Sequence, residues 1–198
     1  MKIKSILITL TFLIITLSSS TQETGTFKDS RDGEKYKTIK IGNQIWMAEN
    51  LNYSIKKSWC YKNDSSNCAK FGRLYDWETA KNICPLGWHL PSDSEWTMLS
   101  VTLGGKEVAG GKIKEAGIIY WKSPNTHATN ESGFSALPGG YEYNDGSFDG
   151  IGICSYWWSS TESVMDKAYS PNVYYDASNI NRDDFDNSAG FSVRCLKN

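Results

Sequence analysis

The sequence predicts an α+β fold built on antiparallel strands, and three observations carry that expectation: a hairpin signature near the N-terminus, two short capped helices after it, and a strand-rich final third. With 198 residues, 39% of them hydrophobic, the chain has enough material for one well-buried core and too little for two comfortable ones. Tyr36 to Ile41 alternates apolar and polar side chains, Gly42-Asn43 supplies a tight turn, and Gln44 to Met47 is the return strand. Asp76 is placed to cap a helix beginning at Trp77, in which Trp77, Ala80 and Ile83 recur at helical spacing until Pro85 ends it. Ser92 and Glu95 then form a capping box ahead of a second apolar stripe, Trp96, Leu99 and Leu103, closed by Gly104-Gly105. A further short helix is expected at Lys112 to Ala116. The last third reads as strands at Tyr156 to Ser160, Asn172 to Tyr175, Asn179 to Phe185 and Phe191 to Leu196, all antiparallel because their connections are too short for crossovers.

Export is the next expectation. Lys2 and Lys4 precede the apolar run Ile6 to Leu17 and the small residues Ser18 to Ser20, the pattern of a secretory signal at residues 1–20. The run falls short of the roughly 20 apolar residues a membrane span needs, so no transmembrane segment is expected in the mature chain. A polar leader without order is expected at 21–28, then one domain over 29–198, secreted, periplasmic or at the cell surface. The net charge of −1 leaves no basic excess for phosphate, which argues against nucleic acid as a partner. In an oxidising compartment the five cysteines read as disulfide partners. Cys60 and Cys68 enclose a short polar loop, Cys84 and Cys195 would tie the first helix to the C-terminal segment, and Cys154 is left over.

Seven motifs, in order, resemble the Fibrobacter succinogenes major paralogous domain family: Asp29-Ser30-Arg31-Asp32-Gly33, Ile45-Trp46-Met47-Ala48-Glu49-Asn50-Leu51, Gly72-Arg73-Leu74-Tyr75, Cys84-Pro85-Leu86-Gly87-Trp88-His89-Leu90-Pro91-Ser92, Ser132-Gly133-Phe134-Ser135-Ala136-Leu137-Pro138-Gly139-Gly140, Trp157-Trp158-Ser159-Ser160-Thr161-Glu162 and Gly190-Phe191-Ser192-Val193-Arg194-Cys195. The resemblance implies a secreted or surface protein, with adhesion or glycan binding as a supposition attached to the family. More distantly, Trp88 to Trp96, the Leu137-Pro138-Gly139-Gly140 stretch and Gly190-Phe191 with Arg194-Cys195 are similar to the formylglycine-generating enzymes, which share the C-type lectin-like fold. That similarity implies such a fold here, and a Cys84–Cys195 bridge similar to the long disulfide of C-type lectin domains. The enzyme's chemistry does not carry over, because Glu162 to Gly190 lacks its copper-binding cysteine pair. No cofactor is expected, with calcium as the one possibility.

The expected function is that of a non-catalytic module binding an extracellular glycan or protein. The alternatives are an enzyme of the formylglycine-generating lineage with different chemistry, and a structural component of a surface layer or fibre. Candidate ligand-contacting residues are Tyr141, Tyr143, Phe148, Tyr156, Trp157, Trp158, Tyr174 and Tyr175, because exposed rings stack on the apolar faces of sugars while neighbouring amides and carboxylates bond hydroxyls. Adjacent residues of a strand point to opposite faces, so one ring of each aromatic pair is expected in the core and its neighbour outside. Asn181, Asp183, Asp184 and Asp186 form a cluster of oxygen donors suited to calcium, for which a solvated hairpin turn is the competing reading. No catalytic residue is assigned.

Overall fold

The computed structural model describes residues 22–198, so the expected secretory segment at 1–20 lies outside the described residues. Its elements are, in order, β1 (Thr24–Lys28), β2 (Lys35–Ile41), β3 (Gln44–Met47), β4 (Ser58–Trp59), α1 (Ser65–Phe71), β5 (Leu74–Tyr75), α2 (Trp77–Ala80), β6 (Trp88–His89), α3 (Asp93–Thr102) and α4 (Lys106–Ile113). They are followed by β7 (Gly139–Glu142), β8 (Phe148–Ile151), β9 (Cys154–Tyr156), β10 (Glu162–Val164), β11 (Lys167–Tyr174), β12 (Asn181–Asp186), β13 (Phe191–Ser192) and β14 (Leu196–Lys197). The α+β expectation holds.

The hairpin forms as read, with Ile41 opposite Gln44 and Gly42 at φ 59°, the positive value a two-residue hairpin turn requires. Within the expected leader, Thr24 to Lys28 are ordered instead, pairing with Ile39 to Lys35 as the edge strand of the first sheet. Its polar composition reflects exposure at an edge, and Phe27 still packs on Trp88, ring centroids 5.1 Å apart. The sheet order is β1-β2-β3-β14-β6, so the final strand docks beside the opening hairpin, Leu196 against Trp46.

Both predicted helix starts are built as expected. The Asp76 carboxylate accepts from the Thr79 N–H at 2.9 Å, and the Ser92–Glu95 capping box is complete. The expected helix at 112–116 lies earlier, at Lys106–Ile113, because glycine here marks crowding rather than a break. A Cβ on Gly110 would come within 2.2 Å of the Asn179 carbonyl oxygen, and one on Gly111 within 2.6 Å of that of His127. Helix α1 has no apolar periodicity to announce it; Asp64 caps it and the Cys60–Cys68 disulfide holds it.

The second sheet runs β10-β11-β9-β7-β8, with β12 paired to β11. Not all its pairings are antiparallel: Gly140 on β7 lies parallel to Ser155 on β9. The expected strand Phe191 to Leu196 breaks into β13 and β14, since Arg194 between them turns inward and is 1% exposed. Its Nε donates to Asn50 Oδ1 at 3.0 Å, its Nη1 donates to the carbonyls of Met47 and Phe134, and the guanidinium lies 4.3 Å from the centre of the Phe134 ring. Around this hub sit two cores. One gathers Trp46, Trp96, Phe134 and Trp157, the other Tyr75, Trp77, Trp158 and Phe191 with the Cys84–Cys195 bridge. Among the described residues no helix is long and apolar enough to cross a membrane.

Candidate functional site

The alternation of β11 decides which candidate rings meet. Asn172 lies opposite Tyr156 and Tyr174 opposite Cys154, so Tyr156 and Tyr174 share one face of the second sheet. Tyr141 joins them from β7, 5.2 Å from Tyr156, and Tyr143 packs edge-on to Tyr141 at 4.9 Å. The hydroxyls are paired as well, Tyr141 with Tyr143 at 2.8 Å and Tyr156 with Tyr174. Beneath them Phe185 and Phe191 pack against Tyr156 at 5.2 and 5.0 Å. The result is a shelf: Tyr143 is 45% exposed, Tyr141 and Tyr174 are half-buried, and Tyr156 is its buried base. Burial holds the Tyr141, Tyr156 and Tyr174 hydroxyls above their ordinary pKa, so they are neutral donors and acceptors at physiological pH.

Other candidates fall elsewhere. Trp157 and Trp158 do point to opposite faces, but both are fully buried because each face of this segment is covered by a core. Trp157 packs on Trp96 and donates to Asn50 Oδ1 at 2.9 Å; Trp158 packs on Phe191 at 4.4 Å and donates to the Tyr75 carbonyl at 2.7 Å. Neither is available to a ligand. Phe148 packs on Tyr61, 5.5 Å away, and Tyr175 belongs to the opposite core, with the Lys122 ammonium 5.5 Å from its ring centre. Phe185 and Phe191 were absent from the candidate set because their part in the shelf depends on pairings distant in sequence.

Beside the shelf a row of polar side chains crosses from β11 to β12. Asn172 Nδ2 donates to Asp183 Oδ2 at 2.9 Å, Asn181 Nδ2 donates to Asn172 Oδ1 at 3.2 Å, and Asn179 donates to Asn181. This pattern divides the four residues of the expected calcium cluster into two pairs. On a strand, Asn181 and Asp183 face one way while Asp184 and Asp186 face the other. Asp184 accepts from Ser163 and neighbours Lys167, and Asp186 closes a turn by accepting from the Ser188 N–H at 2.9 Å. Among the described residues no group of three or more His, Cys, Asp or Glu side chains is arranged to hold a metal.

Glu142, next to the shelf on β7, has a different environment. It is buried against Gly190, its Oε2 lacks a hydrogen-bond partner among the described residues, and desolvation, with Asp76 and Asp145 nearby, raises its pKa from 4.5 to about 7. The folded carboxyl therefore holds its proton more tightly than the unfolded one. That contribution to stability is fully present below pH 4.5 and is lost as the pH rises through about 7. Replacing Glu142 by Gln is expected to flatten this dependence and to raise stability near pH 8 by about 1–3 kcal/mol, read from denaturation curves at acidic and alkaline pH. An unchanged slope in the variant would clear Glu142 as its source. Cys154, buried on β9, has its thiol pushed up to about 12 by burial and is not poised as a thiolate.

These features define an α+β domain closed by two disulfides, Cys60–Cys68 and Cys84–Cys195, with an aromatic shelf on one face of its second sheet. The family model of the Fibrobacter succinogenes major domain matches residues 39–197, and the chain belongs to that family. No curated protein and no solved structure matches it.

Proposed function

We propose that this is a non-catalytic recognition domain, exported to the periplasm, the cell surface or the medium, that binds an extracellular glycan or protein in an adhesive role. The half-exposed Tyr141–Tyr143–Tyr174 shelf carries the reading: rings with oriented hydroxyls beside a row of amides and a carboxylate supply both the apolar faces and the polar groups that saccharides use. The disulfides suit an oxidising compartment. A C-type lectin-like architecture is part of the proposal, supported by the docking of β14 against β3, the helices α2 and α3 among the four between them in sequence, and the long Cys84–Cys195 bridge. A glycan-array screen of the chain lacking residues 1–20 tests it. Alanine at Tyr143 or Tyr174 is expected to weaken a positive signal by about 1–3 kcal/mol without lowering the melting temperature appreciably. Ligands bound equally well by both variants would remove the shelf from the function.

A further inference from the structure

The hydrogen bonds of β11 reveal an unused strand edge. The Tyr169 N–H donates to the Thr161 carbonyl, while the carbonyls of Tyr169 and Pro171 accept from the N–H groups of Ser159 and Trp157. On that alternation Ser170 and Asn172 turn toward β12, opposite Asp183 and Asn181. The main-chain N–H and C=O of Arg182 and Asp184 consequently face away from the sheet, where no strand pairs among the described residues. Alongside this edge runs a cleft of about 610 Å³, bounded by β12 and by α3. Its volume lies within the range of ligand sites, and Trp96, Val101, Pro171 and Ile180 give it an apolar lining. A groove between a helix and a free strand edge is the setting for strand addition, in which main-chain bonds supply affinity and alternate side chains enter the groove.

The charges choose among occupants. Asp183, Asp184 and Asp186 line the strand, while the cations of the cleft are already engaged: Lys106 lies 3.7 Å from Glu107, and Arg182 has its Nε 2.7 Å from Asp93 Oδ1 and its guanidinium 3.6 Å from the centre of the Tyr169 ring. A second copy would set acid against acid, which opposes edge-to-edge self-pairing. We infer that β12 is a docking strand for an extended peptide carrying basic residues around an apolar one, which adds to the Arg182–Asp184 edge and places its apolar side chain in the cleft beside α3. This surface shares Asp183 and Asn181 with the polar row beside the tyrosine shelf but none of its rings, and the inference does not depend on the shelf.

Selection of a phage-displayed random peptide library against the chain is expected to enrich such sequences, with binding that weakens as salt is added. Methylating alternate backbone nitrogens of a selected peptide should weaken binding about tenfold in one register and leave the other register unaffected. Asp184→Pro should weaken the unmodified peptide similarly, because a proline is tolerated where its missing N–H faces the free edge. Should that variant fail to fold, the methylated peptides on the unaltered chain still decide. Peptides indifferent to methylation in both registers, a library that yields no specific binder, or a chain that dimerises by itself through β12 would each overturn the inference.

Discussion

A chain in which Cys84 and Cys195 are both replaced by alanine is expected to lose roughly 4–5 kcal/mol of stability, a large share of what a domain of this size has. The bridge joins positions 111 residues apart, so its removal releases nearly two thirds of the described chain to explore open conformations when unfolded. It also lies in the core, where Cys195 is fully buried and its carbonyl accepts from the Met47 N–H. The Cys60–Cys68 bridge spans only 8 positions, and removing it is expected to cost roughly 2–3 kcal/mol on the same model. Denaturant titrations of the two paired variants would measure the difference. A smaller loss from the long bridge than from the short one would show that loop closure does not set their relative worth. Peptide mapping of the unreduced chain provides an independent check, with Cys154 expected as the free thiol.

What could be read beforehand depended on the range of the signal. Ser92 with Glu95 and Asp76 with Thr79 are contacts between residues three apart, and both helix starts were legible for that reason. The Gly42-Asn43 turn was legible on the same ground. Helix α1 was missed because its residues, Ser-Ser-Asn-Cys-Ala-Lys-Phe, show no stripe, and a cap and a bridge hold it instead. At the site, the residue types of the shelf were visible but their grouping was not. Alternation states that Trp157 and Trp158 face opposite ways; it does not state that one of those faces is solvent, and here each meets a core. The calcium candidates divide between two faces for the related reason that Asp183 and Asp184 are neighbours in sequence but, on a strand, point apart.

Arg194 shows the same dependence on distant partners, and its replacement by alanine is expected to cost about 3–5 kcal/mol. The side chain lies between the two cores, where it donates to Asn50 Oδ1 and to main-chain carbonyls of Met47 and Phe134, groups 144, 147 and 60 positions away in sequence. No carboxylate forms an ion pair with it among the described residues, so these dipoles and the Phe134 ring take the place of a counterion. Truncation would take this donor from the buried Met47 and Phe134 carbonyls, leave Asn50 Oδ1 with Trp157 alone, and open a void between the cores, two independent costs. Methionine separates them, since it restores much of the volume and none of the hydrogen bonds. If unsatisfied acceptors dominate, Arg194→Met should be nearly as destabilised as Arg194→Ala; if the void dominates, it should recover most of the loss. Asn50 provides the coupling test, because its Oδ1 accepts from both Arg194 and Trp157. In a double-mutant cycle, Asn50→Ala combined with Arg194→Ala should cost less than the two single losses added together, by about 1–3 kcal/mol. Strict additivity would show that the guanidinium and the amide act separately, and that the hub joining the opening hairpin to the final strands is no more than a set of neighbouring contacts.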